Sequence, residues 1–195
     1  MREVVLDIET VPCSKERWKH LVSRVPALGK RSWKDTALDW TFGQIICVGL
    51  LVIEKDQENE LCIAGPEETE LLRAFWEALQ PEDIIIGHNV LAFDLPYLQA
   101  RSVICQVKPS RDFDLRRYYT TTVYDTMQIW SNWNMPRYPK LDTLAAVLDL
   151  EGKSGSGDQV SKWFEANDWE RIKQYCMQDV RLTRAVYRRF REYGL

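Results

Sequence analysis

Runs of apolar residues with alternating or helical spacing divide the chain into short strands and amphipathic helices. Apolar and β-branched runs predict strands at residues 3–9, 44–54, 61–65, 83–89 and 122–126. Residues 55–60 then form the predicted hairpin turn. Apolar positions three and four apart predict helices at 66–79, 93–102, 141–150, 158–167 and 168–193. Strands interleaved with helices predict an α/β fold with a mixed central sheet flanked by helices.

Length and composition fit a globular protein of one domain, which we expect to span residues 1–195. The 45% hydrophobic and 28% charged residues exclude a disordered chain, and no apolar run approaches a membrane span. The strand pattern at the N-terminus leaves no room for a signal peptide. The scattered cysteines lack a C-x-x-C pair, so we expect reduced thiols in a cytoplasmic protein. Because no apolar run is long enough for a membrane span, we expect no membrane partner.

The first strand carries two acids where a sheet core is expected. Side chains alternate along a strand, so Asp7 and Glu9 share one side while Ile8 faces the other. Neighbouring carboxylates repel each other and lose solvation near a core. Either this strand end is frayed and hydrated, or the two acids form one wall of a site.

The last helix contains a similar anomaly. Asp179 lies in the middle of its apolar stripe, and a buried carboxylate needs a cation or strong donors opposite it. Tyr175 lies one turn earlier on the same side and can present its hydroxyl beside Asp179. The opposite face carries arginines typical of an exposed surface.

A third acidic segment follows the strand at 83–89. Asp94 opens the next helix, where the helix dipole alone would favour an acid. Read together, Asp7, Glu9, Asp94 and Asp179 predict one site for hard divalent cations, Mg²⁺ or Mn²⁺. Two such ions stabilise the attacking and leaving oxygens of a phosphodiester displacement.

Three motifs now give the chain a family resemblance. LDIET, NVLAFD and YCMQD resemble, in order, the exonuclease motifs of the DEDD superfamily, in the branch with tyrosine in the third motif. They are most similar to the 3′–5′ proofreading domains of B-family DNA polymerases and their stand-alone relatives. The resemblance implies a ribonuclease-H-like fold and hydrolysis from a 3′ end by a two-metal-ion mechanism. It also implies catalytic roles for Asp7, Glu9, Asp94, Tyr175 and Asp179, with Tyr175 orienting the attacking water.

The expected partner is single-stranded nucleic acid with a free 3′ end, with DNA favoured over RNA. Candidate substrate contacts are Thr10 beside the first acids, Asn89 and Phe93 in the second motif, Lys153 in a glycine-rich loop, and Trp33. Trp33 belongs to the polar, basic segment 14–40, predicted to be irregular and partly helical. Basic side chains interleaved with aromatic ones are typical of surfaces that bind single-stranded nucleic acid, because the cations contact phosphates and the rings stack on bases. Alternatively, the aromatics only anchor this segment, and Lys153 lies in a plain flexible loop.

Several other features have simpler interpretations. The GKS at 152–154 lacks the upstream glycine of a phosphate-binding loop, since Val147 stands there, so no nucleotide cofactor is expected. His88 is interpreted as fixing the turn before Asn89, and Asp125 and Asp142 as helix caps. Two alternative functions remain open on this fold: a catalytically inactive nucleic-acid-binding module and a structure-selective endonuclease.

Overall fold

The computed structural model describes residues 2–55, 57–134, 138–152 and 157–195. The strands in this part of the chain are β1 (Glu3–Val11), β2 (Gln44–Glu54), β3 (Gln57–Ala64), β4 (Ile84–Gly87) and β5 (Val123–Asp125). The helices are α1 (Lys15–Arg24), α2 (Glu68–Ala78), α3 (Asp94–Ile104), α4 (Thr126–Trp130), α5 (Leu141–Val147), α6 (Val160–Glu165) and α7 (Trp169–Glu192). No helix of the described ranges has both the length and the apolarity to cross a membrane.

One five-stranded sheet in the order β3-β2-β1-β4-β5 forms the centre. The pairs β3–β2 and β2–β1 are antiparallel, whereas β1–β4 and β4–β5 are parallel. This arrangement confirms the predicted α/β class with a mixed sheet. Because β1, β4 and β5 run in one direction, the loops that leave their carboxyl ends lie at one edge of the sheet.

Helices cover both faces of this sheet. On one face, Val4, Leu6 and Ile8 of β1 belong to a core shared with α2 and α3. On the other face, Val5 and Val11 pack in clusters that contain buried residues of α7. The alternation predicted for β1 is therefore present, and its acids project on the side of α7.

A glycine lets α7 approach the sheet beside these acids. Gly49 of β2 is paired with Asp7 of β1. A Cβ atom at Gly49 would lie 2.8 Å from Cys176 Sγ and 2.9 Å from Val180 Cγ2, both on α7. Such distances are shorter than normal contacts, so the absence of a side chain here sets how closely α7 lies over β1 and β2.

The segment at 14–40 is partly helical, as predicted. Helix α1 begins after Ser14, whose side chain accepts a hydrogen bond from the Arg17 N–H. Two 3₁₀ turns, Pro26–Lys30 and Lys34–Leu38, follow it. The segment returns against β1, where the Thr10 hydroxyl donates to the Ala37 carbonyl oxygen at 2.7 Å.

Two local predictions were wrong. Residues 57–60 extend β3 and pair with 51–54 rather than forming a long turn, and their exposed polar side chains gave no strand pattern. The cap assigned to Asp142 is also wrong, because the cap position of α5 is Lys140 and Asp142 lies in the first turn. An acid there still has a favourable interaction with the helix dipole.

Replacing Gly49 with alanine should destabilise the protein. The new methyl group would collide with the Cys176 and Val180 side chains, and overpacking of this kind costs about 1–3 kcal/mol in the free energy of unfolding. Gly65→Ala is the matched control, since nothing lies within 4 Å of its added Cβ. Urea unfolding measures both; equal stability of the two variants would contradict the close packing of α7.

Candidate active site

The end of β1 brings two acids to the side of α7. Asp7 is half-buried and Glu9 is 8% exposed. The pairing of β1 with β2 shifts between Glu9 and Thr10. A bulge of this kind locally increases strand twist and re-aims side chains, and bulges often lie next to active sites.

Helix α7 contributes the opposite wall. Tyr175 and Asp179, one turn apart, are 5% and 8% exposed. Between them, Cys176 places its Sγ 3.7 Å from Asp7 Oδ2. Ligand atoms of Asp7, Glu9 and Cys176 all lie within 4.8 Å of one another.

Asp94 reaches β1 from the segment that follows β4, the strand on the other side of β1 from β2. Strand β4 pairs only with Glu3, Val4 and Val5 of β1, so it ends before it reaches Ile8. Asp94, the first residue of α3, accepts the Ile8 N–H through Oδ1 at 3.1 Å. The carboxylate of the second motif is thereby attached to the backbone between Asp7 and Glu9.

The electrostatics of this cluster favour bound cations. The pKa of the Asp94 carboxyl is raised to about 7, chiefly because the group is buried. Hydrogen bonds from its own N–H and that of Ile8 act to lower this pKa, whereas the charges of Asp125 and Asp179 act to raise it. Asp94 is 4% exposed. A buried acid surrounded by other acids is stabilised in its ionised form by a nearby cation.

The donor set fits hard divalent ions. Asp7, Glu9, Asp94 and Asp179 would supply carboxylate oxygens, the ligands that Mg²⁺ and Mn²⁺ prefer. The sequence did not single out Cys176 as a neighbour of this set. Its position next to Tyr175 in the inward stripe is a signal, but helix spacing alone does not show that its sulfur contacts Asp7.

The predicted substrate contacts lie on separate elements of the structure. Asn89, half-buried with a φ of 66°, lies in the turn after β4, and Phe93 packs on Tyr97 with ring centroids 5.4 Å apart. The Thr10 hydroxyl donates to the Ala37 carbonyl oxygen, and Thr10 is paired with Ile45 of β2. Trp33 donates through Nε1 to the Cys13 carbonyl at 2.7 Å, and Lys15 lies over its ring. Lys153 lies outside the described residues.

The turn before Asn89 is held by side chains, as expected for His88. Its Nδ1 lies 3.0 Å from the Thr126 hydroxyl and its Nε2 3.0 Å from the Pro139 carbonyl oxygen. Asp125 caps α4 through the Met127 and Gln128 N–H groups, as predicted.

A family model for predicted 3′–5′ exonucleases related to the exonuclease domain of PolB matches residues 36–194. The chain belongs to this exonuclease family. Membership confirms the resemblance and the enzyme class derived from the motifs. The match covers the second and third motifs, while Asp7 and Glu9 precede it. A search of curated proteins found no significant match.

Solved structures support the fold. E. coli exonuclease I in complex with a dT13 oligonucleotide aligns with a TM-score of 0.53 and 10% identity, over 97% of this chain and 40% of that chain. A zinc-bound complex of the same E. coli enzyme with single-stranded DNA has a TM-score of 0.53 and 11% identity, over 99% and 41%. The exonuclease-family chain thus has the predicted ribonuclease-H-like fold and spans about two fifths of the length of these enzymes.

The raised pKa of Asp94 predicts a pH-dependent stability in EDTA. Folded Asp94 keeps its proton up to about pH 7, whereas an ordinary aspartate loses it near 3.8, so the metal-free protein loses stability as pH rises between these values. Asp94→Asn removes this loss and can still accept the Ile8 N–H. Its stability relative to wild type should rise over that range, by on the order of 4 kcal/mol at most.

Urea unfolding in EDTA at several pH values between 4 and 8 measures this difference. Asp142→Asn, which removes an exposed carboxyl from the first turn of α5, is the control for loss of an acid outside the cluster. A difference between Asp94→Asn and wild type that stays constant with pH would show that Asp94 titrates normally.

Proposed function

We propose that this chain, acting as a single domain over residues 1–195, is a metal-dependent 3′–5′ exonuclease for single-stranded nucleic acid, with DNA preferred over RNA. Three separated segments of the chain meet at β1, which supports this function above all. Asp94 bonds the backbone between Asp7 and Glu9, and the α7 turn with Tyr175 and Asp179 packs on the same strand.

The four carboxylates are the proposed ligands for two ions, Mg²⁺ or Mn²⁺. When bound, such ions supply Lewis-acid stabilisation for the charge that develops on the scissile phosphate. The chain keeps Asp94 in place through the Ile8 N–H, so this ligand does not have to reorganise when the substrate arrives.

Tyr175 is the proposed positioner of the attacking water. Its ring packs against Trp163 of α6, with centroids 5.7 Å apart, which limits its rotation. A Cβ atom added to Gly157, the first residue of the 3₁₀ turn Gly157–Gln159, would lie 3.8 Å from the Tyr175 hydroxyl, so this turn lies close to it. A fixed hydroxyl one turn before Asp179 can orient a water beside that carboxylate.

Single-stranded substrate is supported by the surface next to β1. Lys15 lies 5.2 Å from the Trp33 ring centroid and Arg31 5.1 Å from the Phe42 centroid. Aromatic faces and cations of this kind suit base stacking and phosphate contact. The DNA preference is supported by the exonuclease I complexes with oligonucleotide and single-stranded DNA. Asn89, Phe93, Lys153 and the Thr10 backbone are further proposed contacts at the 3′ end.

Tyr175→Phe should lower turnover without affecting the fold. An oriented water contributes on the order of 10²–10⁴ in rate, and phenylalanine retains the packing against Trp163. The assay uses 3′-labelled and 5′-labelled oligonucleotides, as matched DNA and RNA, with Mg²⁺ or Mn²⁺. Wild type should release the 3′ label as mononucleotide and shorten the 5′-labelled strand stepwise.

The matched control is Tyr187→Phe, a tyrosine of the same helix whose hydroxyl donates to Glu3 Oε1 at 2.6 Å. It should keep wild-type turnover. Equal turnover of Tyr175→Phe and wild type would remove the proposed role of Tyr175. Cutting of circular single strands would favour the endonuclease alternative, and no cutting at all would favour the inactive binding module.

A further inference from the structure

The carboxylate of Asp125 binds backbone groups on both sides of the junction between β5 and α4. Asp125 is the last residue of β5 and 1% exposed. Its Oδ1 accepts the Met127 and Gln128 N–H groups at 3.0 and 3.1 Å, which caps α4. The same oxygen accepts the Asn89 N–H at 3.0 Å, and Oδ2 accepts the Leu91 N–H at 3.0 Å. A helix cap explains only the first pair of bonds.

The second pair holds the turn after β4, which has a demanding conformation. Asn89 has a φ of 66°, a left-handed region that asparagine tolerates better than most residues. The chain folds back so tightly that a Cβ on Gly87 would lie 2.4 Å from Val90 Cβ. Thr126 adds a contact from the same junction, since its hydroxyl lies 3.1 Å from the Gly87 carbonyl oxygen. Strained turns persist only where their surroundings fix them.

This turn leads directly into Asp94. The Asn89 carbonyl accepts the N–H groups of Ala92 and Phe93 at 3.1 and 3.0 Å, and the Val90 carbonyl accepts that of Leu95 at 3.0 Å. Within the described part of the chain, the N-cap residue Phe93 makes no side-chain capping hydrogen bond to α3. The position of Asp94 against Ile8 therefore depends on the turn, and the turn depends on the Asp125 carboxylate.

We propose that Asp125 is a positioning residue of the metal site: by binding the Asn89 and Leu91 N–H groups, it sets the place of Asp94. The inference rests on the proposed function, because it assigns Asp94 to a cation. Groups that orient metal ligands typically affect metal affinity or activity 10–100-fold when mutated.

Asp125→Asn separates this role from helix capping. The amide oxygen can still accept the N–H groups that Oδ1 binds, but the amide nitrogen then faces the Leu91 N–H as a second donor. Asp125→Ser goes further, because serine is a good helix cap and its single hydroxyl cannot replace both carboxylate oxygens. Both variants should keep α4 capped while they weaken the hold on the turn.

The matched control is Asp83→Asn at the other end of β4. Asp83 is also 1% exposed, accepts the Gln80 N–H in a turn through Oδ2 at 2.8 Å, and accepts from Arg2. Its replacement should lower the free energy of unfolding through the same kinds of lost hydrogen bond. It touches none of the proposed metal ligands, so its Mn²⁺ affinity and turnover should stay at the wild-type level.

The experiment measures Mn²⁺ affinity by calorimetry on EDTA-stripped protein, together with kcat and KM on a single-stranded oligonucleotide. Asp125→Asn should bind Mn²⁺ about 10–100-fold more weakly and lose kcat in a similar proportion, with a smaller change in KM. Wild-type Mn²⁺ affinity in a folded Asp125→Asn or Asp125→Ser variant would overturn the inference and leave a simple helix cap. A wild-type protein that binds no Mn²⁺ would overturn the proposed function itself.

Hydrogen exchange on the wild type gives a test that needs no variant. If Asp125, the turn and Asp94 act together, Mg²⁺ binding should slow exchange of the Asn89 and Leu91 amides as well as that of Ile8. Protection that increases at Ile8 alone, with Asn89 and Leu91 unchanged, would overturn the inference even if the variants did not fold.

Discussion

The placement of β1, α3 and α7 brings several carboxylates into a small, poorly hydrated volume, where they repel one another. Asp7 and Glu9 project from the same side of β1, and the Asp94 carboxylate is bound to the N–H of Ile8, the residue between them. The charges of Asp125 and Asp179 raise the pKa of Asp94 further. Such an arrangement lowers the stability of the metal-free chain, and a fold that retains it needs compensation elsewhere, with cations as the natural counter-charge.

The destabilising repulsion between the acids is compensated by the hydrophobic core and by the close packing of α7 on the sheet. Strand β1 is central, with β2 and β4 on its two edges, and its apolar residues are almost completely buried. Gly49 allows α7 to lie directly over the strand. Rigid elements therefore supply three of the four acids, and only Asp94 depends on a turn for its position. A rigid frame suits a reaction in which electrostatic stabilisation must exist before the substrate binds.

How much of this could be predicted from the sequence depends on the range of the interactions. Alternation along β1 and the apolar stripe of α7 predict which way Asp7 and Asp179 face, because both patterns are local. The ordered motifs then indicate the family and the ribonuclease-H-like fold. The sequence pattern did not predict that β3 begins at Gln57, because residues 57–60 are polar and exposed and their strand conformation depends on pairing with β2. The contacts of Cys176 with Asp7 and of Asp125 with Leu91 join distant segments, and a single sequence does not carry that information.

We propose that these acids hold divalent cations in one site. Anomalous diffraction at the manganese edge, from crystals grown with Mn²⁺ and a mononucleotide, tests it most directly. We expect two anomalous peaks about 3.5–4 Å apart, among the carboxylates of Asp7, Glu9, Asp94 and Asp179. Manganese found only elsewhere on the protein, with those four side chains free of metal in well-ordered density, would contradict it.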